Sequence, residues 1–466
     1  LTETNPITAL KVKDAVKRRG AELITVEALE PAIGTISNIA LLSTHHLSVA
    51  PDQFASGTIG LLKAVIEKNL VDAELVSQAK GYVDAIKKQV DAISWTDIEA
   101  RTGLTADLFQ DSATAFTRAD RAVILVGQGV LRSQGGSGIT LNIMDLLVLT
   151  GKLHQIGCGL APLAEENNDQ GSVEMGAVAE LLPGGKDRRL QKAQQSFEEA
   201  WGCSLPSGEG GTLMEMIEKA KSGSLKAMVI VGENPIGSLP PDSGIEEALG
   251  NLEFLVCQEL FLTDTAKRAD VILPACSYAE KDGTFTSTEG HTQAVRKAIE
   301  PLGESRPDWE ILSALSVAMD HPLEYESVKA ISKEMRNLMP GSRTLGPSPL
   351  PPRPCLDTLK HYLQEGYQDT LTARYCLPEV KAPQTFVLHI GQSIFHSGKF
   401  STRAKGLIQI QSQGVLSMHP EDAERLGLAC GDGVCLENRK GQVKTTVKLS
   451  DRIPCGVLFF PEHFDQ

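Results

Sequence analysis

The sequence predicts an α/β protein with a β-rich C-terminal part, and three observations carry that. First, residues 252–257 and 270–273 are short apolar runs on either side of a short helical stretch, 264–268. Strand–helix–strand is the building unit of a parallel sheet. Second, the apolar runs 122–126 and 227–231 each lead into a glycine turn, Gly127-Gln128-Gly129 and Gly232-Glu233-Asn234-Pro235. Parallel sheets gather ligands beyond the carboxyl ends of their strands, which is where both turns fall. Third, from Phe386 onward short β runs alternate with turns, at 386–390, 414–418, 433–436, 442–448 and 456–460.

Taken in order, residues 6–19 read as a helix. Pro6 suits its first turn, Ile7, Leu10 and Val16 share one face, and Gly20 closes it. A strand is expected over 21–26. Asp52 reads as a helix or turn cap. Residues 59–120 are expected to be mostly helical, and Gly135, Gly136 and Gly138 lead into a helix over 139–150. An exposed charged helix is expected over 187–202, a loop over 204–211, and a second helix over 212–221, with Glu215 and Lys219 at supporting spacing. Thr263 is placed to cap the stretch 264–268. Pro274 has no amide proton for a ladder and ends the strand before it. Lys281-Asp282-Gly283-Thr284 reads as a polar turn, which Asp282 can shape. Six prolines between 340 and 354 make a stiff connector, followed by a short helical piece at 356–364. Pro420 starts a helix that Gly427 closes. The resulting division is 1–165, 166–335, a connector 336–385, and 386–466.

Composition excludes several classes. The 466 residues carry 45 Lys+Arg against 59 Asp+Glu, a net charge of −14, which argues against a nucleic-acid partner. Nine cysteines are dispersed without a CxxC pair, so no zinc or iron–sulfur ligand set is visible, and they read as reduced core thiols of a cytoplasmic protein. No signal peptide or membrane span is visible. The uncharged run 31–51 is too polar to cross a bilayer. Opening at Leu1, the chain is expected to be a piece of a longer protein.

The residue order is more specific than composition. FLTDTAKRADVILPACSYAEKDGTFTSTEG, followed by RPDW at 306–309, resembles the molybdopterin oxidoreductase family. Within it the resemblance is strongest to the formate dehydrogenase alpha subunit and to the family's member in NADH–quinone oxidoreductase (respiratory complex I). It implies two Rossmann-like dinucleotide-binding α/β domains followed by a double-psi β-barrel, and a molybdopterin guanine dinucleotide as cofactor. On that resemblance Gly127 and Gly129 approach the cofactor, and Gly232, Glu233, Asn234 and Pro235 contact its dinucleotide. Gln258 and Glu259 lie beside the guanine, with Thr263 and Asp282 as weaker candidates. Asn168 and Gln170 match the start of the second nucleotide-binding half, and Gln392 and His396 match the first loop of the barrel. No catalytic residue and no protein ligand to the metal is expected within the chain.

Several positions depart from the family pattern. Glu3, Asn5 and Pro6 match its opening, but its cationic Asp-Pro-Arg turn reads Glu27-Ala28-Leu29-Glu30 here. The place of its Pro-Gly-Thr-Asp reads Val49-Ala50-Pro51-Asp52-Gln53-Phe54, without the glycine, and its Thr-Gly-Arg reads Ile390-Gly391-Gln392. Formate dehydrogenases place an arginine three residues before the Asn pair 167–168, to pair with formate. Here that position is Ala164, followed by Glu165 and Glu166. A methyl group cannot replace a guanidinium, and the two carboxylates disfavour an anionic substrate. The first reading is therefore an electron-transfer or scaffold subunit of an NADH–quinone oxidoreductase, with a relaxed cofactor site and without molybdenum or tungsten. Its iron–sulfur clusters would lie in an N-terminal part outside these residues. The second is a molybdenum or tungsten formate dehydrogenase fragment, and the third a non-redox binding module. Either redox reading implies partner subunits of a respiratory or formate-oxidising complex, and a cytoplasmic or peripherally membrane-bound place.

Overall fold

The computed structural model describes the chain except residues 3, 28–38, 134, 156, 165, 207, 209, 340–374, 379–385, 394, 397, 399, 439–440, 463 and 465–466. The Pro-rich connector, the helix expected at 356–364, Glu3 and most of the turn 27–30 lie outside the described residues. The chain divides into two compact units, Leu1–Ala164 with Leu350–Gln466, and Glu165–Pro349.

In the first unit the opening helix runs Pro6–Arg19. Pro6 sits in its first turn, and Gly20 closes it at φ 71 with its N–H bonded to Ala15 O. Lys17, Arg18 and Arg19 complement the carbonyl end of the dipole. The expected inward face is not used: Ile7 and Leu10 are 69% and 59% exposed, and Ala9 is the buried residue. The expected strand is shorter, Ile24–Glu27, and pairs in parallel with His45–Ser48.

Helices Phe54–Glu67, Ala73–Gln78, Lys80–Asp91, Trp95–Thr102 and Ala106–Arg118 follow. Their apolar stripes converge on Ile59, Leu62, Ile86, Ile98 and Phe109, all fully buried. Gly60 permits the closest crossing, because a Cβ there would stand 2.8 Å from Phe109 Cε1. Strands Val123–Val126 and Gly159–Pro162 pair in parallel. Helix Gly136–Leu149 begins earlier than expected. Gly136 is required there, since a Cβ would lie 2.5 Å from Leu131 O. Buried in that helix, Asp145 accepts hydrogen bonds from the hydroxyls of Tyr82 (2.7 Å) and Tyr375 (2.9 Å), so its carboxylate is not left bare.

The C-terminal strands form one mixed sheet in the order Val387–Gly391, Val457–Pro461, Leu416–Met418, Gly441–Leu449, Gly433–Asn438. The described strands form an open ladder rather than a closed barrel. Leu416, Met418, Ala423, Val447 and Leu458 fill its core, and helix Pro420–Leu426 ends at Gly427 as expected.

The second unit is built on a three-stranded parallel sheet, Ala227–Val231, Phe254–Glu259 and Val271–Pro274, with the second strand central. Its core is Ile217, Ala220, Ile230, Ile245, Ala248, Leu249 and Leu255. Some expectations are corrected here. The helix expected over 187–202 runs Gln191–Trp201, because Lys186–Asp187 pairs with Leu181–Leu182 as a hairpin; its Phe197 is fully buried. Glu215 turns back to cap its own helix, bonding Thr212 N at 2.6 Å, rather than reaching along the helix to Lys219. Gly283 and Thr284 belong to strand Gly283–Thr286, paired with Thr292–Val295. The thiols are not all core residues: Cys203, Cys376, Cys430, Cys435 and Cys455 are exposed, and only Cys257 and Cys276 are buried among the described ones. Among the described residues no helix is long and apolar enough to cross a membrane.

The tight crossing at Gly60 gives a test. Gly60→Ala gains about 1 kcal/mol of helix propensity, but the added methyl must displace the Phe109 ring, an overpacking cost of about 1–3 kcal/mol. A lowered urea midpoint is expected, with a smaller loss in a Phe109→Leu background. An unchanged or raised midpoint would show that the ring yields freely.

Candidate functional site at the carboxyl edge of the parallel sheet

Register brings the polar residues of the second unit to one edge. Val231 pairs with Gln258, Gln258 with Leu273, and Glu259 with Pro274, so the three strands end level. Gly232 N donates to Gln258 O at 2.9 Å and carries the ladder one residue further. Gly232 turns at φ 66, a conformation that suits glycine, and among the described residues no atom beyond its chain neighbours lies within 4 Å of where a Cβ would stand. The space above the turn is open.

Asn234 and Pro235 then begin a one-turn helix, Pro235–Ser238. Asn234 Oδ1 accepts from Thr265 N (3.1 Å) and from Thr265 Oγ1 (2.8 Å). Thr265 Oγ1 in turn accepts from Ile236 N at 3.2 Å. The turn after the first strand is thereby clipped to the loop after the second. Glu233 is exposed, and its Oε1 accepts from Asn234 N and Ser238 Oγ, each at 2.9 Å.

Gln258 is 1% exposed, and its Nε2 donates to Asp308 Oδ1 at 2.7 Å. The other oxygen of Asp308 pairs with Lys281 Nζ. Asp308 opens helix Asp308–Ala318, where the dipole favours its charge. Glu259 is half-buried, and its Oε1 accepts from Leu260 N at 2.6 Å. Thr263 Oγ1 accepts from Ala266 N at 3.1 Å, the expected capping role, although the helix it starts is only Ala266–Arg268.

The remaining candidates of this unit serve the neighbouring hairpin. Asp282 Oδ1 accepts from Lys297 N at 2.9 Å. Asn168 Oδ1 accepts from Thr286 N at 2.8 Å. A Cβ at Gly171 would fall 2.2 Å from Asn168 Oδ1, so the Asn-x-x-Gly spacing is a packing requirement. Gln170 is exposed and bonds Glu174 Oε1 at 3.0 Å. Sequence reasoning missed Lys281, Asp308 and Thr265. The RPDW stretch contains Asp308, but nothing local marks it as the partner of Gln258.

In the first unit, Gly127 caps the one-turn helix Gln128–Leu131, and Gln128 Nε2 holds Leu163 O at 2.6 Å. A Cβ on Gly129 would stand 3.3 Å from His389 Cε1, so this turn packs on the C-terminal sheet. Arg132 and Glu462 pair across the same contact at 2.5 Å. Burial lowers the His389 pKa, with the Glu462 charge opposing. Gln392 is buried just past strand Val387–Gly391. His396 is fully buried, with Nε2 2.8 Å from Gln411 O and its ring edge-on to Phe464 at 5.1 Å. Its ring is engaged inside its own unit. Ala164 follows strand Gly159–Pro162 and presents only a methyl group.

Comparison with known proteins assigns the fold. The molybdopterin oxidoreductase family model matches residues 2–318, and the molydopterin dinucleotide binding domain matches residues 392–466. The chain belongs to the molybdopterin oxidoreductase family. It is 31% identical to the F420-dependent formate dehydrogenase subunit alpha of Methanocaldococcus jannaschii, over 99% of this chain and 70% of that protein. Against formate dehydrogenase H of Escherichia coli the identity is 28%, over 98% of this chain and 66% of the relative. Against the NADPH-Fe(3+) oxidoreductase subunit alpha of Geobacter sulfurreducens it is 30%, over 90% of this chain and 48% of the relative. Among solved structures, acetylene hydratase from Pelobacter acetylenicus shares the fold, with a TM-score of 0.70 at 17% identity over 98% of this chain and 69% of that one.

The Asn234–Thr265 clip gives a stability test. Thr265 is fully buried. Asn234→Ala strips its acceptor, a cost of about 1–3 kcal/mol. A lower urea midpoint is expected for Asn234→Ala, and a near-normal one for Asn234→Asp, which keeps the acceptor. Equal stability of the alanine variant would remove the clip.

Proposed function

We propose that the chain is the dinucleotide-binding part of a redox alpha subunit built on the formate dehydrogenase scaffold, with a substrate other than formate. The observation that carries this reading is the open, acceptor-rich carboxyl edge around Gly232, Gln258 and Glu259. The relatives are formate dehydrogenase and other oxidoreductase alpha subunits. They weigh toward that scaffold over the NADH–quinone oxidoreductase member, the first reading of the sequence. In this reading the two α/β parts are Rossmann-like, and the C-terminal sheet belongs to a double-psi barrel.

The edge suits the base and ribose end of a pterin dinucleotide. Backbone can approach closely over Gly232, and the carboxylates of Glu259 and Glu233 can accept from a guanine. The diphosphate is served less well. Lys281 is already paired with Asp308, and the backbone N–H groups of the turn are the donors assigned to it in this reading. Burial pushes both the Cys257 and Cys276 thiols up, toward the neutral form. When bound, a molybdenum or tungsten pterin supplies the redox centre. This chain's residues orient its nucleotide end: Glu259 by accepting from the base, and the Asn234–Thr265 clip by fixing the turn beneath it. Partner subunits would take up the electrons, through iron–sulfur clusters expected outside these residues.

Substrate choice rests on residue 164. Carboxylate binding by a guanidinium is bidentate and charge-assisted, and Ala164 supplies neither feature. Formate-driven dye reduction by the purified protein is therefore expected at background. Sustained formate-dependent turnover would overturn that assignment.

The nucleotide reading is tested separately. Acid hydrolysis of the purified protein is expected to release GMP. Glu259→Ala is expected to weaken nucleotide retention about tenfold or more, the worth of one charge-assisted hydrogen bond of about 1.5–3 kcal/mol. Absence of GMP from the purified protein would count against the dinucleotide, and unchanged retention in the variant would remove Glu259 from the site.

A further inference from the structure

One cluster of ligating side chains stands apart from the residues described so far. His419 and Glu421 lie at the start of helix Pro420–Leu426, and Cys455 lies on the loop leading into strand Val457–Pro461. Cys455 Sγ is 3.2 Å from His419 Nδ1 and 3.6 Å from Glu421 Oε2. Among the described residues this is the one group of three such side chains whose ligand atoms all lie within 4.8 Å of one another.

The sulfur–oxygen separation fits the edge of a metal tetrahedron, and the sulfur–nitrogen one is slightly short of it. Bonds of about 2.3 Å to sulfur and about 2.0–2.2 Å to nitrogen and oxygen, at tetrahedral angles, place the ligand atoms roughly 3.3–3.6 Å apart. The tautomer also suits. His419 Nδ1 accepts from Glu421 N at 3.2 Å, which puts the ring proton on Nε2 and leaves Nδ1 unprotonated; a cation takes that lone pair over from the Glu421 amide. The loop is held from behind. Asp422 is 4% exposed, and its Oδ2 accepts from Gly456 N at 2.7 Å, while its Oδ1 pairs with Arg425 at 2.7 Å. Gly456 turns at φ 79, and its carbonyl accepts from Val387 N at 2.9 Å. Cys455 is thus fixed against the helix rather than carried on a free loop.

We propose that His419 Nδ1, the Glu421 carboxylate and Cys455 Sγ form a binding site for a zinc-class divalent cation, with a fourth position open to water. Binding breaks the S–H bond of Cys455, forms a sulfur–metal bond and releases the proton to solvent, with no change of oxidation state. Nitrogen, sulfur and oxygen donors together select a borderline ion of this kind over magnesium or calcium. The ion clips the helix to the loop before strand Val457–Pro461.

The test uses the full chain, stripped with a chelator and titrated with Co2+ and with Zn2+. Co2+ is expected to give a thiolate-to-cobalt charge-transfer band that saturates stoichiometrically. Cys455→Ser abolishes it, Glu421→Gln weakens affinity about tenfold or more, and Cys435→Ser leaves it intact. Saturating Zn2+ is expected to raise the Tm of the parent chain and not that of Cys455→Ser. No thiolate band, or a band that persists undiminished in Cys455→Ser, overturns the site. Should the serine variant fail to fold, Glu421→Gln decides, because that side chain is exposed. Unchanged affinity in Glu421→Gln overturns the three-ligand assignment.

Discussion

The second unit depends on one constraint, the level ending of three parallel strands. Parallel ladders fix register through evenly spaced hydrogen bonds. Once Val231 lies beside Gln258, and Gln258 beside Leu273, three chain reversals must share one edge. The Gly232 to Gln258 bond continues that ladder into the turn. The Asn234–Thr265 bonds then tie two of the reversals together without using any side chain that points into solvent. The open turn at Gly232 and the placing of Glu259 at the same edge follow from that backbone arrangement.

Much of this was legible in the sequence. The helix Pro6–Arg19 with its Pro and Gly boundaries, the strand Ala227–Val231 and the helix Pro420–Leu426 follow from local signals that act within one element. The edge residues were legible through motif order, because turn chemistry is local as well. What failed was long-range. Ile7 and Leu10 have helical spacing but are left exposed by the described residues, and periodicity alone cannot show a partner. Glu215 had two local options and took the capping box. Asp308 and Lys281 meet Gln258 only after the sheet has formed. Cysteine spacing likewise says nothing about Cys455 and His419, 36 residues apart in sequence and 3.2 Å apart in space.

Electrostatics separates scaffold from chemistry in this family member. The fold keeps its polar turns, yet the positions read as cationic in the family hold Ala164 and Gln392, and Lys281 is neutralised by Asp308. With Ala164 in place of an arginine and Lys281 paired to Asp308, these positions offer little to a small carboxylate. A neutral or hydrogen-bonding group, such as a base edge, is still well served by carboxylate acceptors. Nucleotide binding and formate chemistry can therefore part company on one scaffold.

The most direct test is amide hydrogen–deuterium exchange of the protein stripped of any bound nucleotide, with and without added GMP. A nucleotide seated at the carboxyl edge predicts slowed exchange confined to residues 232–236 and 258–265, the turn and loop that frame it. Unchanged exchange in those two segments, or protection appearing elsewhere instead, would contradict it.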